Sequence, residues 1–312
     1  MKRRTFVKRT AKLSAGAFFF SPFVSRKGEI SAAKPVLKPQ PELWKEGEIN
    51  IAWLGHSTVL INLFGKIIIT DPVLLDRFGI YFMGITFGPS RFTAPALTID
   101  ELPKPDLVLL SHAHMDHMDL LTLKNISERF PKQIDCITAY NTSDVIEDFE
   151  WKSLQEIDWR ESIEINGIKI KGLEVKHFGW RLPGERDRSR GYMKNGRSFN
   201  AYVIERNGKK ILFGGDTAMT DKFKESNEEV DVAIMPIGAY NPWKFNHCNP
   251  EEALKMAKDV KAKFFIPIHT NTFRQGSEPI AEPLEWMLKS YKKYDLALGI
   301  KQIGETFSFP LT

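Results

Sequence analysis

From Ile49 onward the chain breaks into short apolar runs separated by turn residues. Ile49–Leu54, Val59–Leu63 and Lys66–Thr70 are rich in β-branched residues and spaced as a meander, with Phe64-Gly65 as a hairpin turn. Leu107–Leu110 is a wholly apolar run between Pro105-Asp106 and Ser111, the pattern of a buried strand that ends in a loop. Helical spacing covers 119–129, 142–149, 250–259 and 279–293. The third of these starts well: Asn249 can cap it, Pro250 takes the first position, and Glu251 and Glu252 follow. Further strands are predicted at 134–138, 168–175, 199–206, 209–214, 231–236, 263–268 and 304–309. No internal period suggests a solenoid or propeller. Hairpins mixed with helix-linked strands predict an α/β fold of stacked sheets with outer helices rather than a purely doubly wound sheet.

Composition changes this picture only at the N-terminus. The chain has 312 residues, 42% hydrophobic and 27% charged, ordinary values for a globular enzyme. Residues 1–33 carry eight Lys/Arg and one acid, a net of +7, which leaves the remainder at about −2 of the total +5. The basic pI is therefore a property of the leader, and a nucleic-acid footprint on the body is not expected. Arg3-Arg4 followed by Thr5-Phe6-Val7-Lys8, then a weakly apolar stretch from Leu13 to Val24, has the anatomy of a twin-arginine export signal. That reading makes 1–33 an export segment and the protein periplasmic, with a basic tail on a cytoplasmic protein as the alternative. Residues 34–42, with Pro35, Pro39 and Pro41, read as an extended linker, and 43–312 as one domain. No run of 18 apolar residues is present. Cys136 and Cys248 have no metal-ligand spacing and read as packing residues.

The chemistry is concentrated in Ser-His-Ala-His-Met-Asp-His-Met-Asp at 111–119, directly after the apolar strand. His112 and His114 are two apart, so an extended segment points both the same way. Asp116 and His117 follow where the chain turns toward the next helix. Neutral imidazole and carboxylate are the ligands that Zn²⁺ and similar ions take. Other strand ends supply more of the same groups. His177 follows 168–175, Asp216 follows Ile211-Leu212-Phe213 and Gly214-Gly215, and His269 follows Phe264–Ile268. The two glycines allow close backbone approach beside Asp216. Singly, each of these has an ordinary structural explanation; together they describe a metal centre.

His-x-His-x-Asp-His, then a lone His, a Gly-Asp-Thr and a late His, resembles the metallo-β-lactamase superfamily. More narrowly the chain resembles the branch containing N-acyl-phosphatidylethanolamine-hydrolysing phospholipase D. The matching stretches include Trp53–Leu60, Thr70–Val73, Gly88–Phe92, His177 with Arg181, Gly215-Asp216-Thr217, Pro236–Tyr240, His247–Ala253 and Ile268–Phe273, from about residue 43 to 285. Related sugar-lactone hydrolases share the Trp-Leu-Gly-His-Ser start and the metal motif. The resemblance implies a four-layer αββα sandwich with two divalent ions at one edge, Zn²⁺ first and Mn²⁺ or Fe²⁺ as alternatives. By position, His112, His114 and His177 would hold one ion, and Asp116, His117 and His269 the other. Asp216 would bridge, and Asp71 would orient a ligand imidazole. Two departures bear on the substrate: Ala113 and Met115 stand where the family has Asn and Tyr, and His269-Thr270-Asn271-Thr272 replaces a His-Trp-Gly-Thr-like terminus.

Such a centre implies a hydrolase in which metal-activated water attacks at neutral pH, so no Ser or Cys nucleophile is needed. The reading is a phosphodiesterase of phospholipase D type acting on N-acyl-phosphatidylethanolamine-like lipids through a metal-bridging hydroxide. A lactone or ester hydrolase is the alternative. Asp116 and Asp216 are the catalytic carboxylates, and His247 and Arg181 are candidates for substrate or leaving-group contact. A di-iron redox protein on the same scaffold would replace a motif histidine by a carboxylate and add a flavin domain, and neither is seen. The apolar segment Phe78–Phe92 either packs on the body or lines a lipid groove and touches a membrane surface. The expected partner is a phospholipid-like or other small ester, with peripheral membrane contact and no nucleic acid.

Overall fold

The computed structural model describes residues 32–310 apart from 187 and 189–194. The export signal expected at 1–33 lies outside the described residues except for Ala32 and Ala33.

Among the described residues the chain builds two seven-stranded sheets. The first comprises β1 (Ile49–Gly55), β2 (Thr58–Leu63), β3 (Lys66–Thr70), β6 (Leu107–Leu110), β7 (Asp135–Ala139), β8 (Ser153–Ile157) and β16 (Thr306–Ser308), in the order β16-β1-β2-β3-β6-β7-β8. The second comprises β9 (Ser162–Ile165), β10 (Ile168–Glu174), β11 (Asn200–Arg206), β12 (Lys209–Phe213), β13 (Val232–Pro236), β14 (Phe264–Ile268) and β15 (Ala297–Leu298), and runs β15-β14-β13-β12-β11-β10-β9. A separate hairpin pairs β4 (Ile80–Phe82) with β5 (Ile85–Phe87). The helices are α1 (Leu120–Arg129), α2 (Lys222–Glu225), α3 (Pro250–Asp259) and α4 (Glu282–Ser290).

The period-2 rule explains how the second sheet is buried on both faces. Ile211 and Phe213, Val232 and Ile234, and Ile266 and Ile268 enter a core shared with Ile51, Leu60, Ile69 and Leu109 of the first sheet. Their neighbours Leu212, Ala233, Met235 and Phe265 face the other way, into a second core with Ala253, Leu254, Met256 and Ala257 of α3. The strands of this sheet consequently read as near-continuous apolar runs. The α3 start is capped as its residues dictate: Asn249 accepts from the Glu252 amide at 3.0 Å, and the Glu252 carboxylate accepts from the Asn249 amide at 2.9 Å.

Three features differ from the sequence expectations. The helix expected over 142–149 is only a 3₁₀ turn at Ser143–Val145, because the Glu156 carboxylate accepts from the amides of Asn141, Thr142 and Ser143 and turns the chain there. The helix expected over 279–293 is confined to Glu282–Ser290 and tightens into a 3₁₀ turn at Tyr291–Tyr294. Strands β4, β5, β8, β9 and β15 carry no expectation from the sequence, being short and, in β8 and β9, only half-buried.

The parallel pairs β3–β6–β7 and β12–β13–β14 matter most for function. Their carboxyl ends lie on one edge of the sandwich, where an isolated bridge joins His112 to Phe199 at the start of β11. Open α/β sheets bind ligands at such an edge, because every loop leaving those strands converges there.

Candidate metal centre

Seven loops at that edge, among the described residues, carry the His and Asp side chains that gather there. His56 lies between β1 and β2, Asp71 follows β3, and Ser111–His117 follow β6. His177 follows β10, Asp216 follows β12, His247 lies beyond β13, and His269 follows β14. Several hold strained backbone, with positive φ at His56, Asp71, Ala239 and His269. Gly215 has φ +56, and a Cβ there would stand 2.8 Å from both the Asn200 carbonyl oxygen and the Ser111 Cβ. Only glycine lets the chain thread between the two sheets at the residue before Asp216.

The donor atoms fall into two groups. His112 Nε2 lies 2.8 Å and His177 Nε2 3.2 Å from His114 Nδ1. The other group surrounds Asp116 Oδ2, with His117 Nε2 at 3.3 Å and His269 Nε2 at 3.5 Å. Asp216 Oδ2 lies between the groups, 3.1 Å from His117 Nε2, 3.1 Å from His269 Nε2 and 3.9 Å from His177 Nε2. All these side chains are buried or nearly so.

Whether the cluster suits a metal is decided by which nitrogen of each ring is free. His117 Nδ1 donates to Asp71 Oδ2 at 2.7 Å. His177 Nδ1 donates to the Asn246 carbonyl at 2.9 Å. His112 Nδ1 donates to Ser111 Oγ at 2.8 Å, and that hydroxyl donates to Asp71 Oδ2 at 2.5 Å. In each ring Nδ1 is committed outside the cluster and Nε2 is the nitrogen turned into it, the orientation that a metal ligand needs. A lone pair on His112 Nε2 faces His114 Nδ1 at 2.8 Å, an arrangement that a shared cation relieves. Two ligand atoms each 2.0–2.1 Å from one tetrahedral Zn²⁺ stand ~3.3 Å apart, close to the spacings seen here. The buried Nε2 atoms of His117 and His269 and Oδ1 of Asp216 have no hydrogen-bond partner among the described residues. The cluster is able to bind metal ions.

The charges in the metal-free cluster are divided. Burial pushes His112 and His177 well below the ordinary imidazole value and brings His114 to about 4. Burial acts the same way on His269, but Asp216 and Asp116 outweigh it and raise that ring to about 9. His117 is likewise held well above its usual value by Asp216, Asp116 and Asp71 against its burial. The two imidazolium rings in turn hold Asp116 and Asp216 well below the usual carboxylate range despite burial.

The structure brings His112, His114, Asp116, His117, His177, Asp216 and His269 together. His247 stands at the rim, half-buried, with Nδ1 3.7 Å from Asp216 Oδ2. Arg181 is directed elsewhere: its Nη1 donates to the carbonyls of Ala113 at 2.8 Å and Met118 at 2.9 Å, clamping the backbone of the His-rich loop. Two residues were given no role by the sequence. His56 Nε2 donates to Asp116 Oδ2 at 3.0 Å, and the Gln275 amide nitrogen donates to the same oxygen. His56 could have been noticed as the remaining histidine in a turn between two strands; Gln275 had no signal.

A two-sheet sandwich with a His/Asp cluster at its edge defines the class of metal-dependent hydrolases. The chain belongs to the family described as the beta-lactamase superfamily domain, whose model matches residues 67–270. It is 33% identical over 253 residues to N-acyl-phosphatidylethanolamine-hydrolyzing phospholipase D 1 of Caenorhabditis elegans, covering 74% of this chain and 66% of that one. A protein of Mycobacterium tuberculosis without an assigned function is 28% identical over 295 residues, 90% of this chain and 75% of that one. In fold the chain is similar to a possible metal-dependent hydrolase from Veillonella parvula, with TM-score 0.64, 18% identity and coverage of 84% and 100%.

Proposed function

We propose that this protein is a dinuclear metal-dependent phosphodiesterase of phospholipase D type, acting on N-acyl-phosphatidylethanolamine-like lipids. The observation that carries the reading is Asp216 Oδ2, within 3.1–3.9 Å of nitrogens from both donor groups. A carboxylate so placed suits a site for two ions. His112, His114 and His177 would hold one ion, Asp116, His117 and His269 the other, with Asp216 shared. When bound, such a pair supplies Lewis acidity and lowers the pKa of water toward ~7. Zn²⁺ fits the imidazole-rich set best, and Mn²⁺ or Fe²⁺ are compatible. The phospholipase D relative supports a phosphodiester as substrate.

The chain's own residues divide the remaining work. Asp71 and Ser111 fix the tautomers of His112 and His117. His56 and Gln275 aim Asp116 by donating to Oδ2, the oxygen that the Nε2 atoms of His117 and His269 also face. His247 offers a partner-free Nδ1 at the rim, suited to a phosphoryl oxygen or the departing group. Arg181 acts as a positioning residue through the loop it clamps. Residues 1–33 would deliver the enzyme to the periplasm; Arg3→Lys with Arg4→Lys would then leave it in the cytoplasmic fraction.

The test is metal content together with hydrolysis of bis(p-nitrophenyl) phosphate, a simple lactone and N-acyl-phosphatidylethanolamine in mixed micelles, for wild type and Asp216→Ala. About two ions per chain and diester cleavage lost in the variant are expected. Metal-dependent lactone cleavage alone would transfer the assignment to a lactone hydrolase. Failure to retain metal after reconstitution would overturn the reading.

A further inference from the structure

The β4–β5 hairpin is unusual for a soluble surface. Its register pairs Ile80 with Phe87 and Phe82 with Ile85, so these four side chains share one face of the ribbon. All four are exposed, and Met83 at the turn is 83% exposed. Among the described residues the ribbon pairs with no other strand, and a lone two-stranded hairpin is marginal in water. Its root is nevertheless fixed beside the metal centre. Phe78 is buried, its ring 4.9 Å from Phe273 and stacked on His56 at 6.4 Å.

A second apolar projection is linked to Asp116 through Gln275. Trp243 is 52% and Phe245 69% exposed, and the Trp243 indole donates to the Gln275 carbonyl at 3.2 Å. Gln275 itself reaches Asp116. Arg77, Lys244 and Arg274 are exposed among these side chains, Lys244 over the Phe245 ring and Arg274 over Phe92. The segments 77–92, 240–247 and 273–277 contain no Asp or Glu.

We infer that the β4–β5 hairpin and the Trp243–Phe245 loop dock the protein on a bilayer carrying anionic phospholipid, with the metal centre facing the lipid surface. The chemistry selects this occupant. Exposed apolar side chains with Arg77, Lys244 and Arg274 beside them fit acyl chains and phosphate headgroups together, and Tyr81 and Trp243 suit the polar–apolar boundary. The inference rests on the phospholipid reading of the site for its purpose, since it lets the enzyme draw substrate from the membrane.

The experiment is sedimentation of the full chain with vesicles of phosphatidylethanolamine and phosphatidylglycerol, or of phosphatidylcholine alone. Wild type is compared with the triple variant Phe82→Ser/Met83→Ser/Phe245→Ser, and bis(p-nitrophenyl) phosphate hydrolysis is measured on both. Wild type should bind the anionic vesicles, and the variant should bind at least about tenfold more weakly. Its melting temperature should be unchanged and its soluble-diester activity within about twofold of wild type. Wild type that hydrolyses the diester yet stays in the supernatant would overturn docking and leave the function standing. Wild type that binds vesicles without hydrolysing any diester would sustain docking and remove the function. Equal loss of soluble activity in the variant would make the hairpin a wall of the site and overturn docking. Conversion of a wild-type dimer to a monomeric variant would do the same, by showing that a second copy covers the face.

Discussion

His56 Nε2 lies 3.0 Å from Asp116 Oδ2, and the two side chains reach each other from separate loops of the first sheet, the β1–β2 turn and the loop after β6. The His56 ring is packed at 4.3 Å from His269 and stacked on Phe78, so it has little freedom to move away from the carboxylate. A carboxylate held by a fixed donor presents one oxygen in one direction, which is the condition for ligating an ion without ordering cost on binding. His56→Phe keeps the ring and removes the donor. It should weaken binding of the second ion by ~10–100-fold while leaving the first unaffected. Titration with Co²⁺, read by its visible absorption, separates the two events. Equal loss of both ions would mean that His56 acts on the fold rather than on Asp116.

Metal uptake should release protons, and unequally between the two donor groups. In the metal-free protein His269 titrates near about 9 and His117 well above its usual value, so both are charged at neutral pH. The rings of His112, His114 and His177 are neutral there. An ion entering the Asp116 group must therefore expel protons, and its apparent affinity should rise by about tenfold per pH unit for each proton expelled. The His269 share of that gain should end once pH exceeds its value of about 9. The first ion should show no such dependence. Calorimetry in buffers of different ionisation enthalpy measures the protons directly, and uptake of the second ion with none released would refute the charge assignment.

Asp135 joins the two sheets at the edge far from the metals. It accepts from Lys152 Nζ at 2.8 Å, Ser153 Oγ at 2.6 Å and Asn166 Nδ2 at 2.8 Å. Burial raises its pKa, but these three donors outweigh it and leave the carboxyl below its ordinary value. A depressed carboxylate stabilises the fold above its unfolded pKa, and that stability is lost as pH falls through the folded one. Asp135→Asn should cost roughly 1–3 kcal/mol at pH 7. The gap from wild type should close as pH drops below about 4, the ordinary carboxylate value. Urea denaturation across that range checks it; a gap that widened on acidification would count against the assignment.

The sequence carried the site further than it carried the fold's details. The ligands were legible because metal chemistry restricts them to a few residue types, and strands ending at a common edge space them in a recognisable order. The buried strands were legible because both faces of the second sheet need apolar side chains. What was hidden depends on tertiary geometry. Glu156 forms its turn at 141–143 from across the β7–β8 connection, and no local pattern announces it. Arg181 was singled out beside His177 by the family resemblance, which carries no geometry; its Nη1 donates to the Ala113 and Met118 carbonyls. The apolar segment 78–92 was visible, but only its register shows that four of its side chains share an exposed face.

Gly215→Ala should separate the cost of building the site from the cost of using it. The residue has φ +56, where an L side chain costs about 1–2 kcal/mol. The added Cβ would also stand 2.8 Å from the Asn200 carbonyl oxygen on one sheet and 2.8 Å from Ser111 Cβ on the other, so one of the two must shift. Neither can yield cheaply: Asn200 N donates to the Ser111 carbonyl at 2.9 Å, and Ser111 N donates to Asp71 Oδ1 at 2.7 Å. Overpacking of that kind costs a further ~1–3 kcal/mol. The sum predicts a loss of about 2–5 kcal/mol in the metal-free protein. The displacement is passed to Asp216 next in the chain, so affinity for both ions should fall together. Asp216→Asn is the control, since it keeps the backbone and removes only the charge. It should bind metal poorly, and its urea midpoint gives the cost of losing that buried charge alone. If Gly215→Ala instead matched wild type in metal-free stability, the sheets would have room for a side chain there, and the account of how the fold places Asp216 would fail.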